Sequence, residues 1–116
     1  MNWVSEVKFT IDDESKAELI IDTLLEERLV ACAHRFQPVT SRYWWEGKLE
    51  TASEWMIAVK TRAELAENVT QRIMELHSYD TPEVLVTAVL GGNPAYLQWV
   101  RDETRLAEEC EPANPL

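Results

Sequence analysis

The chain has 116 residues, enough for one domain around one core and too few for two. Lys and Arg number 11 against 21 Asp and Glu, a formal net charge of -10, so most of the surface repels a phosphate backbone and nucleic acid is not expected as a partner. An apolar fraction of 46% argues against disorder, and three glycines, two of them adjacent at Gly91 and Gly92, leave no material for a phosphate-cradling loop or a dinucleotide fingerprint.

Residues 3–11 set Trp3, Ser5, Val7, Phe9 and Ile11 at alternate positions, the pattern of a strand with one buried side. Over 13–30, Ala17, Ile20, Ile21, Leu24, Leu25 and Leu29 recur at helical spacing behind Asp12 or Asp13 as N-cap, which predicts an amphipathic helix laid on a sheet. Residues 31–45 and 49–61 read as two long strands joined by the short loop Glu46-Gly47-Lys48. Thr61-Arg62-Ala63-Glu64 has the form of a capping box opening a second helix, whose buried stripe is Leu65, Val69, Ile73 and Leu76. Residues 84–90 are almost unbroken apolar, the pattern of a central strand covered on both faces. Gly91-Gly92 closes that strand, and Asn93-Pro94 reads as N-cap and first position of a last helix running to about residue 108.

The order βαββαβ plus a C-terminal helix is that of an α+β, ferredoxin-like sandwich. Two right-handed crossovers then set both long helices on one face of a four-stranded antiparallel sheet. Residues 1–108 form this single domain, and 109–116, with two prolines and no apolar period, form a flexible tail that carries Cys110. No basic region precedes an apolar run at the start, and no stretch approaches the roughly 18 apolar residues that span a bilayer. The expectation is a soluble, cytoplasmic protein without membrane insertion, whose two cysteines are reduced.

Strands usually run about five or six residues, yet each arm of the central hairpin offers a dozen or more, about 40 Å at roughly 3.3 Å per residue. Such a hairpin must project or bend. Ser41, Tyr43 and Trp45 point to one side of it and Arg42, Trp44 and Glu46 to the other, so both faces carry an indole. In the opposing arm Trp55, Ile57 and Val59 share one face and Met56 and Ala58 the other, again without a solvent side. A free ribbon that is apolar on both faces implies a partner surface, and the reading is an oligomer in which ribbons pair with neighbouring subunits. The competing reading is a bulged hairpin bent back over its own helices.

Groups that could carry chemistry are few. Cys32 and His34 share a strand face and suit copper or zinc, but two ligands are half of a structural site, and Val30-Ala31-Cys32-Ala33 equally describes a small buried hydrophobe. His77-Ser78-Tyr79-Asp80-Thr81-Pro82-Glu83 gathers an imidazole, a phenol and two carboxylates between a helix end and a strand. A histidine there is also a plain helix-dipole partner. Glu54 and Lys60 lie on one face of the third strand with Met56 and Ala58 between them, candidates for a polar pocket or an exposed strand end. No nucleophile elbow or Walker motif is present.

In their order and spacing, Ser41-Arg42-Tyr43-Trp44-Trp45-Glu46-Gly47-Lys48-Leu49-Glu50, Glu54 with Lys60-Thr61, His77 to Glu83, and Tyr96-Leu97-Gln98-Trp99 resemble the CutA family of divalent-cation tolerance proteins, over residues 7–106. The resemblance implies a ferredoxin-like protomer, a homotrimer built through the long hairpins, an architecture similar to the PII signalling proteins, and a cytoplasmic, non-enzymatic protein linked to divalent ions, copper above all. Tyr43, Trp45, Gly47, Glu54, Lys60, Tyr79, Glu83, Tyr96 and Trp99 match the family's characteristic residues. In such a trimer Tyr43, Trp45, Glu54, Lys60, Tyr79, Glu83 and Trp99 would line a cleft between subunits. Cys32 matches the family cysteine of the second strand and His77 the histidine before the connecting loop, which makes them the metal candidates for copper or zinc, with no resident cofactor required. Ser78 replaces the usual proline, Phe9 and Leu76 stand where some members carry further ligands, and His34 stands where asparagine is common, beside Cys32 as a possible substitute. The second reading is a PII-like small-molecule sensor or trimeric scaffold with a ligand in that cleft. A third, enzymatic use of Glu54, Lys60 and His77 as acid and base groups, is the weakest, because spacing alone does not bring them within reach of one another.

Overall fold

The alternation of the first strand translates directly into burial. The computed structural model describes residues 3–106, beginning with β1 (Val4–Ile11), in which Val7, Phe9 and Ile11 are fully buried while Glu6 and Lys8 on the opposite face are half-buried. Asp13 caps α1 (Glu14–Glu26), its carboxylate accepting from the Lys16 amide at 3.1 Å, and Ala17, Ile20, Ile21 and Leu24 form the buried stripe. The helix stops at Glu26 rather than at residue 30 because the next residues build a Schellman turn. There the Leu29 amide reaches the Leu24 carbonyl at 3.0 Å and the Arg28 amide reaches that of Leu25 at 3.1 Å. Arg28 takes the left-handed conformation, φ 60°, that glycine ordinarily fills. Its guanidinium is tied to Glu103 at 2.8 Å and its carbonyl accepts from the Arg105 amide at 2.9 Å, contacts that hold the strained residue in place.

The predicted second strand is two strands, β2 (Cys32–Arg35) and β3 (Val39–Trp45), both antiparallel to β4 (Lys48–Arg62). Arg35 stands opposite Ile57 and Val39 opposite Glu54, so four steps on one arm meet three on the other. The extra residue is bulged out around Phe36-Gln37-Pro38, where Pro38 has no amide to give the ladder. The slip exchanges faces: Cys32 and His34 share the side of Lys60 and Ala58, while beyond the bulge Val39, Ser41, Tyr43 and Trp45 take that side. The hairpin carries the bulge of the second reading without bending back over its own helices, and the molecule measures 56 × 35 × 23 Å. The tip is a two-residue turn with φ 49° at Glu46 and 79° at Gly47, the signature of a type I′ hairpin.

The sheet runs β2-β4-β1-β5, with β5 (Val84–Val89) at the edge beside β1 and β3 extending along β4. The apolar run in β5 is therefore not a covered central strand: Leu85 is 56% and Val86 47% exposed. Helices α1 and α2 (Ala66–Leu76) cover one face, closing a core of Val7, Phe9, Ile11, Ile20, Leu24, Ile57, Val59, Val69 and Ile73. The expected capping box does not form. Thr61 instead donates its hydroxyl to the Leu29 carbonyl at 2.6 Å, Arg62 precedes the 3-10 turn Ala63–Leu65 without a side-chain cap, and Glu64 turns to Arg101. Tertiary partners outcompete the local motif because they satisfy a buried hydroxyl and a carbonyl at once. Asn93 caps α3 (Pro94–Glu103) by accepting from the Ala95 amide at 2.9 Å. The helix ends at Thr104, short of the predicted residue 108, where Arg62 donates to the Thr104 carbonyl and hydroxyl. The predicted tail and Cys110 lie outside the described residues.

Candidate functional site

The bulge and the β1 end bring the hairpin base close to the loop that follows α2. Between them lies a pocket of about 750 Å³. Thr10 comes from the end of β1 and Asp12 from just beyond it, Ser41, Arg42, Tyr43 and Trp45 from β3, Ala52 and Glu54 from β4, and Tyr79 to Glu83 from the loop. Glu54 is its innermost charged group, only 6% exposed, and accepts a hydrogen bond from the Tyr79 hydroxyl at 2.8 Å. Burial, then the hydrogen bond and charge of Glu54, push the Tyr79 phenol well above its ordinary value, so it remains a donor.

His77 builds this arrangement. It terminates α2, and its Nε2 lies 2.7 Å from the Thr10 carbonyl, which can only accept, while Nδ1 accepts from the Tyr79 amide at 3.0 Å. The ring therefore carries its proton on Nε2 and fixes the first residue of the loop that reaches Glu54. It packs edge-on to Phe9 and tilted against the Tyr79 ring, with centroids 6.1 and 4.5 Å apart.

A second polar cluster occupies the sheet face away from α1 and α2. Cys32 stands opposite Lys60, and its sulfur is 3.2 Å from the Tyr96 hydroxyl of α3. Burial first, then the contact with Cys32, pushes the Tyr96 phenol up to about 12. Lys60 pairs with Glu6 at 2.9 Å, and Glu6 also holds Lys8 at 3.0 Å. The bond from Lys60, with Lys8 adding, keeps the Glu6 carboxyl below the usual carboxylate range against the opposing effect of burial. Trp99 stacks near Tyr96 at 5.7 Å on the same helix.

Of the seven residues predicted to share a cleft, Tyr43, Trp45, Glu54, Tyr79 and Glu83 line the one pocket within a single chain. Lys60 and Trp99 do not; Lys60 stands six positions along β4 from Glu54, about 20 Å at roughly 3.3 Å per residue. Cys32 and His77 likewise do not meet within the chain. Cys32 lies opposite Lys60, whereas His77 holds Thr10, which pairs with Met56 four residues further along β4 and packs on the other face against Phe9. His34 is exposed opposite Ala58. Among the described residues no three His, Cys, Asp or Glu side chains gather as a metal cluster. Both His77 nitrogens are engaged, by the Thr10 carbonyl and the Tyr79 amide, and the Cys32 sulfur meets the Tyr96 hydroxyl. Ser41, Arg42 and Asp80 in the pocket belong to the motifs singled out from the sequence, whereas Thr10, Asp12 and Ala52 in the pocket and Glu6 as the partner of Lys60 were not expected. The alternation of Glu6 and Lys8 in β1 was a signal for the last of these, while Thr10, Asp12 and Ala52 stand outside every motif.

An antiparallel sheet with two helices on one face, a third across the other, and a projecting ribbon defines an α+β protein of the ferredoxin-like type organised around an extended hairpin. A family model described as CutA1 divalent ion tolerance protein matches residues 5–103, and the chain belongs to that family. It is 43% identical over 96 residues to a divalent-cation tolerance protein CutA of Pyrococcus horikoshii, covering 83% of this chain and 93% of that one. It is 34% identical over 99 residues to a chloroplastic CutA 1 of Oryza sativa, of which those residues span 56%, little more than half. A solved structure described as the periplasmic divalent cation tolerance protein CutA of Archaeoglobus fulgidus superimposes with a TM-score of 0.83 at 35% identity, over 86% of this chain and 97% of that one. No helix among the described residues is long and apolar enough to cross a membrane.

Proposed function

We propose that the chain acts in divalent-cation tolerance as a non-enzymatic homotrimer of PII-like architecture in the cytoplasm, binding divalent ions such as copper or zinc as effectors rather than as a resident cofactor. The observation that carries the metal-ion reading is membership of the divalent ion tolerance family over residues 5–103. The net charge of -10 adds a field that concentrates divalent cations at the surface. The trimer rests on unpartnered apolar surface: Trp44 is 73%, Leu49 52% and Leu85 56% exposed, at the hairpin tip and along the β5 edge. Stable oligomers cover such surface, and closed symmetry covers it without fibre growth.

Cys32 and His77 are the metal candidates, acting as separate points on one chain. Cys32 offers a half-buried thiol beside Tyr96, while His77 offers Nδ1 only after releasing the Tyr79 amide. Titration of the tag-free protein with Cu²⁺ and Zn²⁺ tests this, with Cys32→Ala and His77→Gln each removing part of the binding. No binding below about 1 mM refutes the metal reading, and unchanged binding in the double variant refutes the named ligands. Sedimentation equilibrium should show about 40 kDa, three protomers of 13.4 kDa; a monomer at micromolar concentration refutes the assembly.

A further inference from the structure

The carboxyl group at the base of the hairpin pocket has no Lys, Arg or His beside it among the described residues. Glu54 is 94% buried by its 6% residual exposure, yet its one hydrogen-bond partner among the described residues is the neutral Tyr79 phenol at Oε2, and no Lys, Arg or His lies within salt-bridge distance of it. Buried carboxylates ordinarily pair with a cation, because leaving water uncompensated costs several kcal/mol per ion. The space beside it, about 750 Å³, is far larger than a single ion requires. Its walls include the rings of Tyr43, Trp45 and Tyr79, with Tyr43 42% and Trp45 49% exposed in the single chain. At the exposed rim stand Asp12, Asp80 and Glu83, so the lining carries four carboxylates against one guanidinium, that of Arg42. Arg42 alternates with Tyr43 along β3 and so projects to the opposite side of the ribbon from the ring.

We infer that this pocket is a binding site for an aliphatic diammonium ligand, a short linear diamine or polyamine. The inner ammonium donates to the free oxygen of Glu54, the methylene chain lies against the aromatic rings, and the outer ammonium sits among the rim carboxylates. Each part of the pocket matches one part of such a ligand: a buried anion for a desolvated cation, aromatic faces for a cation and an alkyl stem, and a partly solvated acidic rim for the second charge. A bare divalent ion fits less well, since the described carboxylates do not converge on one point as a cluster of three ligands. Diamine binding here does not require a metal at Cys32 or His77; Cys32 lies outside the pocket lining and His77 touches it through the Tyr79 amide and ring.

Calorimetric titration of the full chain with 1,4-diaminobutane at low ionic strength tests it. Binding is expected, with Glu54→Gln weakening it at least about tenfold, the loss of one desolvated charge pair. The exposed rim variant Asp80→Asn with Glu83→Gln, which threatens folding least, is expected to weaken it several-fold. Butylamine, lacking the outer charge, should bind more weakly than the diamine, and succinate, of the same length but opposite charge, not at all. No diamine binding up to about 10 mM overturns the inference, including the case in which a cation from a neighbouring chain already fills the pocket. Equal binding by the Glu54→Gln and rim variants also overturns it, as does equal response to potassium chloride at matched ionic strength. Copper titration of the same variants separates the two proposals, because loss of diamine binding with metal binding retained leaves the Cys32 and His77 reading untouched.

Discussion

Replacing Tyr79 with phenylalanine removes one oxygen and leaves the ring, so it isolates the bond to Glu54. The ring keeps its packing against His77, 4.5 Å away, and the backbone amide still donates to His77 Nδ1. What is lost is the 2.8 Å bond to a carboxylate that is 6% exposed and has no other donor among the described residues. Hydrogen bonds to charged groups contribute about 1.5 to 3 kcal/mol net, and the low exposure of Glu54 places the expected cost near 2 kcal/mol. In a Glu54→Gln background the acceptor is neutral, so the same substitution should cost about half as much, a coupling of about 1 kcal/mol. Urea midpoints at fixed protomer concentration read these values without the concentration dependence of an oligomer. The pH dependence gives an independent check. The Tyr79 phenol is raised in the folded protein above the ordinary value of 10.0, chiefly by burial and then by Glu54. Its contribution is therefore complete below pH 10 and lost as pH climbs beyond it, where the unfolded phenol ionises and the folded one does not. Wild-type stability should fall more steeply above that point than that of Tyr79→Phe. A cost below about 0.5 kcal/mol, no coupling to Glu54→Gln, or coincident alkaline limbs would refute the reasoning.

The acid limb depends on Glu64, which Arg101 grips with two bonds of 2.9 and 2.8 Å and holds down to about 2. Its contribution is present above the usual 4.5 and lost as pH falls toward 2, so Glu64→Gln should flatten the loss of urea midpoint across that window. The effect should shrink in about 0.5 M salt, because the Glu64 side chain is 48% exposed. Gly47→Ala should destabilise by about 1 to 2 kcal/mol, read as a lower urea midpoint, purely through its φ of 79°, since a Cβ there meets nothing within 4 Å. Thr61→Val should cost about 1 to 2 kcal/mol, read as a lower urea midpoint, by removing the donor to the half-buried Leu29 carbonyl; a neutral result would refute that role.

Features decided by near neighbours in the chain were legible in it. The period of two in β1, the helical spacing of Ala17, Ile20, Ile21 and Leu24, the caps Asp13 and Asn93, and the Glu46-Gly47 turn each depend on residues within a few positions, where covalent geometry limits the choices. The four site motifs were likewise readable as motifs, and five residues of the predicted cleft do line one pocket. Other features escaped because their partners are remote. The α1 stop carries Arg28 where glycine would have marked it, and that residue is held by Glu103, 75 positions away. Thr61 chose Leu29 over its own helix start, and the apolar run of β5 became an edge whose exposure depends on what stands beside it.

The sequence by itself determined the order of helices and strands apart from the split of the second strand, the turn that reverses the hairpin, and the family to which the chain belongs. Tertiary structure alone decided the one-residue bulge at Phe36-Gln37-Pro38, and with it which side chains share a face. It also decided that Glu54 meets Tyr79 rather than Lys60, which Glu6 takes instead, and that His77 serves the Tyr79 loop while Cys32 faces Tyr96 across the sheet. Helix and strand periods are local properties of the backbone. Register and charge pairing are chosen by the whole molecule, because a slip of one residue moves every side chain to the opposite face, and only complete packing selects among the possible slips.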